Sequence, residues 1–520
     1  MNRRSFIEFI GKGSLIVPVI PSVLQSCKVK PSGEIDSAKF PSSADELVLS
    51  DGLDFDLLIK EGDPLNDLFS FGFDNDYIAY QETGKDEGVL WVNHEYFNPM
   101  FVPGYTGGDV RHVSQIHREM GTVGGTIVKV KKVDGKWTYI QDDPYNYRLT
   151  AVSKIPLEWP EPIEGFRSVV GTLGNCAGGV TPWGTILTCE ENYHYFYGEY
   201  NYQTGERTRG NFGWETFYPD HKPQHYGWVV EVDLETGSAK KHVGLGRMAH
   251  ECATAVELAD KRVVIYTGDD KNDGCLHKYV SDEPGKIYPG KLYVANLEAK
   301  KWELLDVSRP ELADFETQTE VLIRARETAL LVGGSQLDRP EDIEIDPLTG
   351  DVLITLTNNK PKGNYHGSIL RIKEGGDYDA MDFEHDTFLT GGEESGFSCP
   401  DNMAFDKAGN LWFCSDISGS SIGTEPYEKF GNNGLYVLIR NGEQAGQLFQ
   451  VASAPNDAEL TGLCFTPDYE TLFLSVQHPG SESPDLANLT SHWPGGGTTM
   501  PRSAVVAIQG EVLSSLQTIV

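Results

Sequence analysis

The feature that most constrains the fold is an internal repeat. Pro340-Glu341-Asp342-Ile343-Glu344-Ile345-Asp346, a turn, and Asp351 to Asn359 match Pro400-Asp401-Asn402-Met403-Ala404-Phe405-Asp406, a Lys-Ala-Gly turn, and Asn410 to Asp416. Thr461 to Phe465, a Pro-Asp turn, and Thr471 to His478 follow the same plan, and the units begin about 60 residues apart. Such a period belongs to solenoids and propellers. Looser copies run from Phe71 to Glu95, from Cys176 to Asn192 and from Glu251 to Asp270, which makes six inner hairpins. Each is followed by a second alternating segment: Gly125 to Ile140, Trp228 to Val243, Lys291 to Val307, Ser368 to Leu389, Gly434 to Val451 and Ser503 to Val520. Six four-stranded units predict an all-β chain closed as a six-bladed β-propeller, with seven blades as the rival count. The 56 glycines, 28 prolines, 23 tyrosines, 23 phenylalanines and 9 tryptophans agree with short aromatic strands joined by many turns.

In a propeller the inner strands line the axis, so equivalent repeat positions converge there. At the start of the inner strands stand Cys176, Glu251, Glu341, Asp401 and Thr461; at the ends of the strands that follow stand Glu190-Glu191, Asp269-Asp270, Asn358-Asn359, Asp416 and Gln477-His478. The earliest copy adds Asn93, His94 and Glu95. Carboxylates brought together out of water repel one another unless cations lie between them, so the pattern predicts metal binding. Oxygen donors suit calcium, whereas a thiolate suits a softer transition metal. Cys176, read as sitting ahead of a Gly178-Gly179 turn, is the one thiol in that ring of oxygens.

Asp and Glu total 77 against 43 Lys and Arg, a formal charge of −34. A surface so acidic repels nucleic acid and anionic membranes and draws cations. Asp269 to Gly274 begins like an EF-hand loop, but Lys271 stands third and Val280 twelfth, and His250-Glu251 lacks the second histidine of a zinc-protease helix. No GxSxG elbow, Walker loop or GxGxxG after a strand is present, which removes support from serine-hydrolase and nucleotide-cofactor chemistry. Arg339, two residues before Glu341, is an odd neighbour for bound cations unless an anion such as phosphate is expected there.

The N-terminus reads as a targeting segment over residues 1–27: Arg3-Arg4 before Ser5-Phe6-Ile7 resembles a twin-arginine export signal, and Leu24-Gln25-Ser26-Cys27 resembles a lipobox with Cys27 as the lipidated residue. Residues 28–47 read as a tether and 48–520 as one propeller domain. Seven cysteines remain after Cys27, an odd number for an exported chain, so at least one is free or a ligand. Cys189, Cys252, Cys275, Cys414 and Cys464 read as small buried hydrophobes.

The runs NCAGGVTPWGTILTCEEN, GRMAHECATAV, YTGDD, RPEDIEIDP, CPDNMAFDKAGNLWF and FTPDYETLFLSVQHPG together resemble the PhoX-type alkaline phosphatases, exported bacterial enzymes, over about Val48 to Val520. The resemblance implies a propeller channel holding calcium and ferric iron with a bridging oxo group, and phosphate monoesters as small-molecule substrates. By the same resemblance Cys176 matches an iron ligand, Glu251 and Glu341 match metal-ligating glutamates, and Arg339 matches a catalytic arginine facing the phosphate. Cys176 and Glu341 are thereby expected to act in catalysis as well. One of Glu190 and Glu191 matches a further ligand, with Glu191 favoured; Asp269, Asp270, Asn402 and Gln477 are carried over as metal-site residues, and Asp401 joins them through the repeat. The expected protein is a monomer, periplasmic or on the cell surface, touching the membrane only through Cys27. Two other readings compete: a calcium-only propeller lactonase or phosphotriesterase, which has no use for a thiolate, and a non-catalytic binding propeller with structural calcium.

Overall fold

A computed structural model describes residues 35, 39–105, 107, 111–374 and 376–516. The targeting segment lies outside these residues. Six sheets radiate about one axis as the blades of a β-propeller, and helices are few and short. Blade 1 runs outward as Asn75–Gly84, Glu87–His94, Gly124–Val133 and Lys136–Tyr139. Blade 2 begins with Asn175–Val180, Ile186–Glu190, Val229–Val232 and Ala239–His242, and Lys154–Glu158 adds on in parallel with Ser168–Val170 beyond it. Blade 4 is Pro340–Ile345, Val352–Leu356, Ser368–Lys373 and Glu384–Thr390. Blade 5 is Pro400–Phe405, Leu411–Ser415, Gly434–Leu438 and Leu448–Ser453, edged by Val48–Leu49.

The other two blades depart from the pattern expected of the sequence. Blade 3 has five strands, His250–Glu257, Val263–Asp269, Leu276–Ser281, Gly290–Asn296 and Lys301–Leu304. The third of these was hidden behind the acidic turn at 270–274, so Lys291 to Val307 supplies the fourth and fifth strands, not the third and fourth. In blade 6, Glu459–Phe465, Leu472–Gln477 and Ala504–Gln509 are completed by Asp54–Lys60 from the other end of the chain, in register Asp54↔Gln509 to Lys60↔Ala504. The segment read as the last hairpin instead turns into a helix, Glu511–Leu516. A ring closed by distant strands has no open sheet edge at the joint.

Part of the expected tether is also built into the fold. Asn432 N–H donates to Ser42 O (2.8 Å), Asp45 accepts from His492 N–H (2.8 Å) and Ser491 Oγ (2.5 Å), and Leu47 and Ile35 are buried with Trp412 and Trp493. No helix among the described residues is long and apolar enough to cross a membrane.

What positions the site is a repeated irregularity. Every inner strand slips its register against the second strand near its start: Asn75/Ile78, Asn175/Gly178, Glu251/Thr254, Pro340/Ile343, Pro400/Met403 and Thr461/Cys464. Such a bulge sets two residues against one and re-aims the side chains it contains. In blades 1, 2, 4 and 5 it is preceded by a residue in the left-handed region, Asp74 (φ 42°), Gly174 (φ 63°), Arg339 (φ 57°) and Cys399 (φ 51°). In each case the side chain two residues on, Asp76, Cys176, Glu341 or Asp401, faces one cavity on the axis. A left-handed non-glycine costs about 1 kcal/mol, so its recurrence marks geometry imposed by the site.

Gly178 and Gly179, expected to form a turn, lie inside the inner strand Asn175–Val180. Around the axis the strands approach so closely that a Cβ on Gly179 would sit 2.1 Å from Ala253 O, and one on Gly462 2.4 Å from Asp76 O. These glycines serve close approach of backbones, not chain reversal.

Candidate metal centre

Where the six bulges meet is a polar cavity of about 130 Å³ lined by nine carboxylates: Asp76, Glu95, Glu191, Glu251, Asp270, Glu341, Asp401, Asp416 and Glu459. Cys176, Arg339, Asn192, Asn402, Tyr96 and His478 complete the lining. Two groups hold donor atoms within 4.8 Å of one another, Cys176 with Glu191 and Glu251, and Glu251 with Asp270 and Glu341, all five buried. Glu251 belongs to both. The Cys176 Sγ lies 2.9 Å from Glu251 Oε2.

Without a cation this arrangement cannot stay ionised. Burial, and then the neighbouring carboxylates, push Glu95, Glu251 and Asp401 well above the usual range; burial does the same to Glu341, against the pull of Arg339. Burial lifts Glu191 and Glu459 to about 7 each. Cys176 is pushed up by burial and then by Glu251. For Asp416 burial is the largest influence, but Arg339, a hydrogen bond with Glu459 and the charge of His478 together outweigh it and hold its carboxyl below the ordinary value. Nine acids face one guanidinium, one imidazole and, at Glu191, the Lys271 ammonium 3.4 Å away, so charge balance calls for bound cations.

The guanidinium is clamped. Arg339 donates through Nε to Asp270 Oδ1 (2.9 Å) and through Nη2 to Asp270 Oδ2 (2.8 Å), pairs with Glu341 Oε1 (2.6 Å), and reaches Asp416 Oδ2 from Nη1 at 3.4 Å. Thr357 Oγ1 donates to Glu341 Oε1 (2.9 Å).

Sequence comparison identifies what kind of site this is. The family model "Alkaline phosphatase PhoX" matches residues 36–480. The chain belongs to that family. A solved structure, Pseudomonas fluorescens PhoX in complex with vanadate, a transition state analogue, is 28% identical, superposes with a TM-score of 0.79, and covers 91% of this chain and 97% of its own. A protein of unknown function from Dyadobacter fermentans, at 11% identity and TM-score 0.39 over 88% of this chain and all of its own, is a distant likeness only. No curated protein matches the sequence.

Against the PhoX resemblance, the structure brings together Cys176, Glu191, Glu251, Asp270, Arg339, Glu341, Asp401 and Asn402. Glu190 is not among them. Its carboxylate is fully buried on the other side of the strand, paired with Lys241 Nζ (2.7 Å) and accepting from Gly227 N–H (3.0 Å) and Trp228 N–H (3.1 Å). Asp269 is likewise turned away, accepting from Arg326 Nε (2.7 Å) and Ala249 N–H (3.1 Å). In both acid pairs strand alternation sends neighbours to opposite faces.

Asn402 and Gln477 hold carboxylates of the cavity through their amides. Asn402 Nδ2 donates to Asp401 Oδ1 (3.1 Å) while its Oδ1 accepts from Gly462 N–H (2.7 Å), and Gln477 Nε2 donates to Glu95 Oε2 (3.0 Å). Asn93 and His94 are structural: Asn93 Nδ2 holds Cys176 O (2.9 Å), and His94 bonds Phe73 O and Thr126 Oγ1. Asn358 and Asn359 bond outside the cavity, to Cys399 Sγ and to Asp273 and Asp338.

Asp76 and Glu459 were missed from the sequence. Asp76 holds the bulge position of Cys176 and Glu341, so aligning bulges instead of strand starts would have found it. Glu459 sits two residues before Thr461 because blade 6 carries its pairing further, to Glu459↔Gln477.

Proposed function

We propose that this PhoX-family phosphatase hydrolyses phosphate monoesters at a cluster of iron and calcium held by these side chains. The observation that carries the reading is the shared Glu251, which joins a thiol-containing triad to an all-oxygen triad. A thiolate beside two carboxylates fits ferric iron, and the purely oxygen set of Glu251, Asp270 and Glu341, with the acids of blades 1, 5 and 6 beyond it, fits calcium. Bound there, such ions supply charge neutralisation for the phosphoryl oxygens and acidify a coordinated water.

The chain's own residues do the rest. Arg339 holds its guanidinium against Asp270 and Glu341, and its weakly engaged Nη1 edge is the part available to a phosphoryl oxygen. Asp270 and Glu341 fix that orientation before substrate arrives. Cys176 is the one thiol among the described lining residues, and its sulfur faces Glu251 instead of the open cavity, which favours water as the attacking group. A calcium-only lactonase centre gives no role to this buried thiol.

Protein purified with its metals and calcium is expected to cleave p-nitrophenyl phosphate at alkaline pH, and chelation or Cys176→Ser to abolish the cleavage. Activity that persists after chelation and in Glu341→Gln sinks the reading. A monomer exported by the twin-arginine route and anchored through Cys27 completes the proposal; replacing Arg3-Arg4 by lysines is expected to leave the protein in the cytoplasm, and Cys27→Ala to release it from membranes.

A further inference from the structure

The cavity among the carboxylates has about 130 Å³. With a phosphoryl group among the carboxylates, the alcohol part of an ester lies toward the mouth of the cavity, against whatever stands at the rim. The rim is not uniform. On the blade 4 and 5 side it presents Arg339 and Asp416; on the side of blades 1 and 2 it presents the ring of Tyr96, against which Tyr195 packs.

Tyr96, directly after Glu95, is the one aromatic ring besides His478 among the described lining residues. Its ring lies 5.9 Å from that of Tyr195 at an interplanar angle of 31°, and Tyr195 in turn lies 4.4 Å from His194. All three are only partly buried. Behind them the rings are fixed. Phe196 stacks nearly parallel to Tyr96 (6.3 Å, 11°), and Phe196 packs on Trp214 (5.0 Å); both backing rings are fully buried. Tyr195 is further held by Asn211 N–H donating to its carbonyl (2.6 Å). The chain has therefore built a rigid aromatic surface at the rim of a polar hole, where charged residues would suffice if only solvent had to be met.

We infer that Tyr96 and Tyr195 form a platform for the alcohol part of the substrate and make the enzyme favour phosphate monoesters whose alcohol carries a flat π-face, an aryl group or a nucleobase. The inference rests on the phosphatase reading above and adds to it the substrate class. An aromatic ring already held in place pays little ordering entropy when a second ring stacks on it. A glyceryl or sugar alcohol gains nothing comparable there.

The test compares kcat/KM for phenyl phosphate and for glycerol 3-phosphate in the metal-loaded enzyme and in Tyr96→Leu, Tyr195→Leu and Tyr195→Phe. Taking each variant's aryl-to-glyceryl ratio relative to wild type cancels the intrinsic difference between the leaving groups. The leucine variants are expected to lower that ratio about tenfold, chiefly through the KM of phenyl phosphate, and Tyr195→Phe to restore it. Equal losses on both esters, or a ratio that does not move, overturn the platform while leaving the phosphatase reading intact. If wild type cleaves neither ester, the phosphatase reading fails instead. In that event calorimetric binding of phenylphosphonate against methylphosphonate still decides the platform: no preference for the phenyl compound in wild type overturns it, and a preference removed by Tyr195→Leu upholds it.

Discussion

Blades 2 and 3 end their second strands on consecutive acids, Glu190-Glu191 and Asp269-Asp270, and in both the two members have opposite fates. The first of each pair points behind the sheet onto a buried or half-buried partner cation, Lys241 or Arg326; the second points into the cavity, where Glu191 lies 3.4 Å from Lys271 and Asp270 2.8 Å from Arg339 among the other carboxylates. The pairs differ in depth. Lys241 and Glu190 are both fully buried, whereas Arg326 is 44% exposed. Chemically identical side chains one residue apart thus face the sheet interior or the cavity according to strand parity, and the comparison can be broken experimentally.

The largest effect is expected at the ligating member. Glu191→Gln should lose metal and lower kcat by more than about 100-fold, the upper end of what removing a supporting residue costs. Near-normal turnover in that variant would place the ligand elsewhere. Glu190→Gln should behave in the opposite way: it leaves Lys241 buried without its partner, a loss of about 3–5 kcal/mol in denaturant unfolding, with normal metal content in the protein that folds. Metal loss with unchanged stability would reverse the assignment.

The pH dependence sharpens the same contrast. Glu191 and Glu459 have folded-state values raised from 4.5 to about 7, so the metal-free folded chain binds more protons than the unfolded one between these limits. The contribution of these two groups to the stability of chelated protein is then fully present below about pH 4.5 and is lost as pH rises through 7, by up to about 3 kcal/mol for each group. Metal-loaded protein should lack this fall, because the ions hold the carboxylates charged; parallel melting profiles for the two forms would contradict it. The smallest effect is expected of Asp269→Asn, about 1–2 kcal/mol, since Arg326 can turn to water.

The six inner hairpins and most of the cavity lining were legible because the repeat copies chemistry along with pattern: an acid or thiol near the start of the inner strand, another acid just past the second. What was not legible has physical causes. The choice between Glu190 and Glu191 depends on which face of the strand Ile186–Glu190 turns to the axis, a parity that leaves no mark in composition. The closing strand Asp54–Lys60 finds its partner at the far end of the chain, and no local signal names that partner. The third strand of blade 3 follows directly on a turn whose acids read as an ion loop.

The joint between Asp54–Lys60 and Ala504–Gln509 makes the metal centre a reporter on the whole ring. Its donors come from all six blades, so they reach their places together only when the first and last strands have met, and neither strand touches the cavity. Cutting the chain beyond Lys60, or deleting the strand that ends there, would empty a site many residues away from the cut, and affinity for metal would measure closure of a circle.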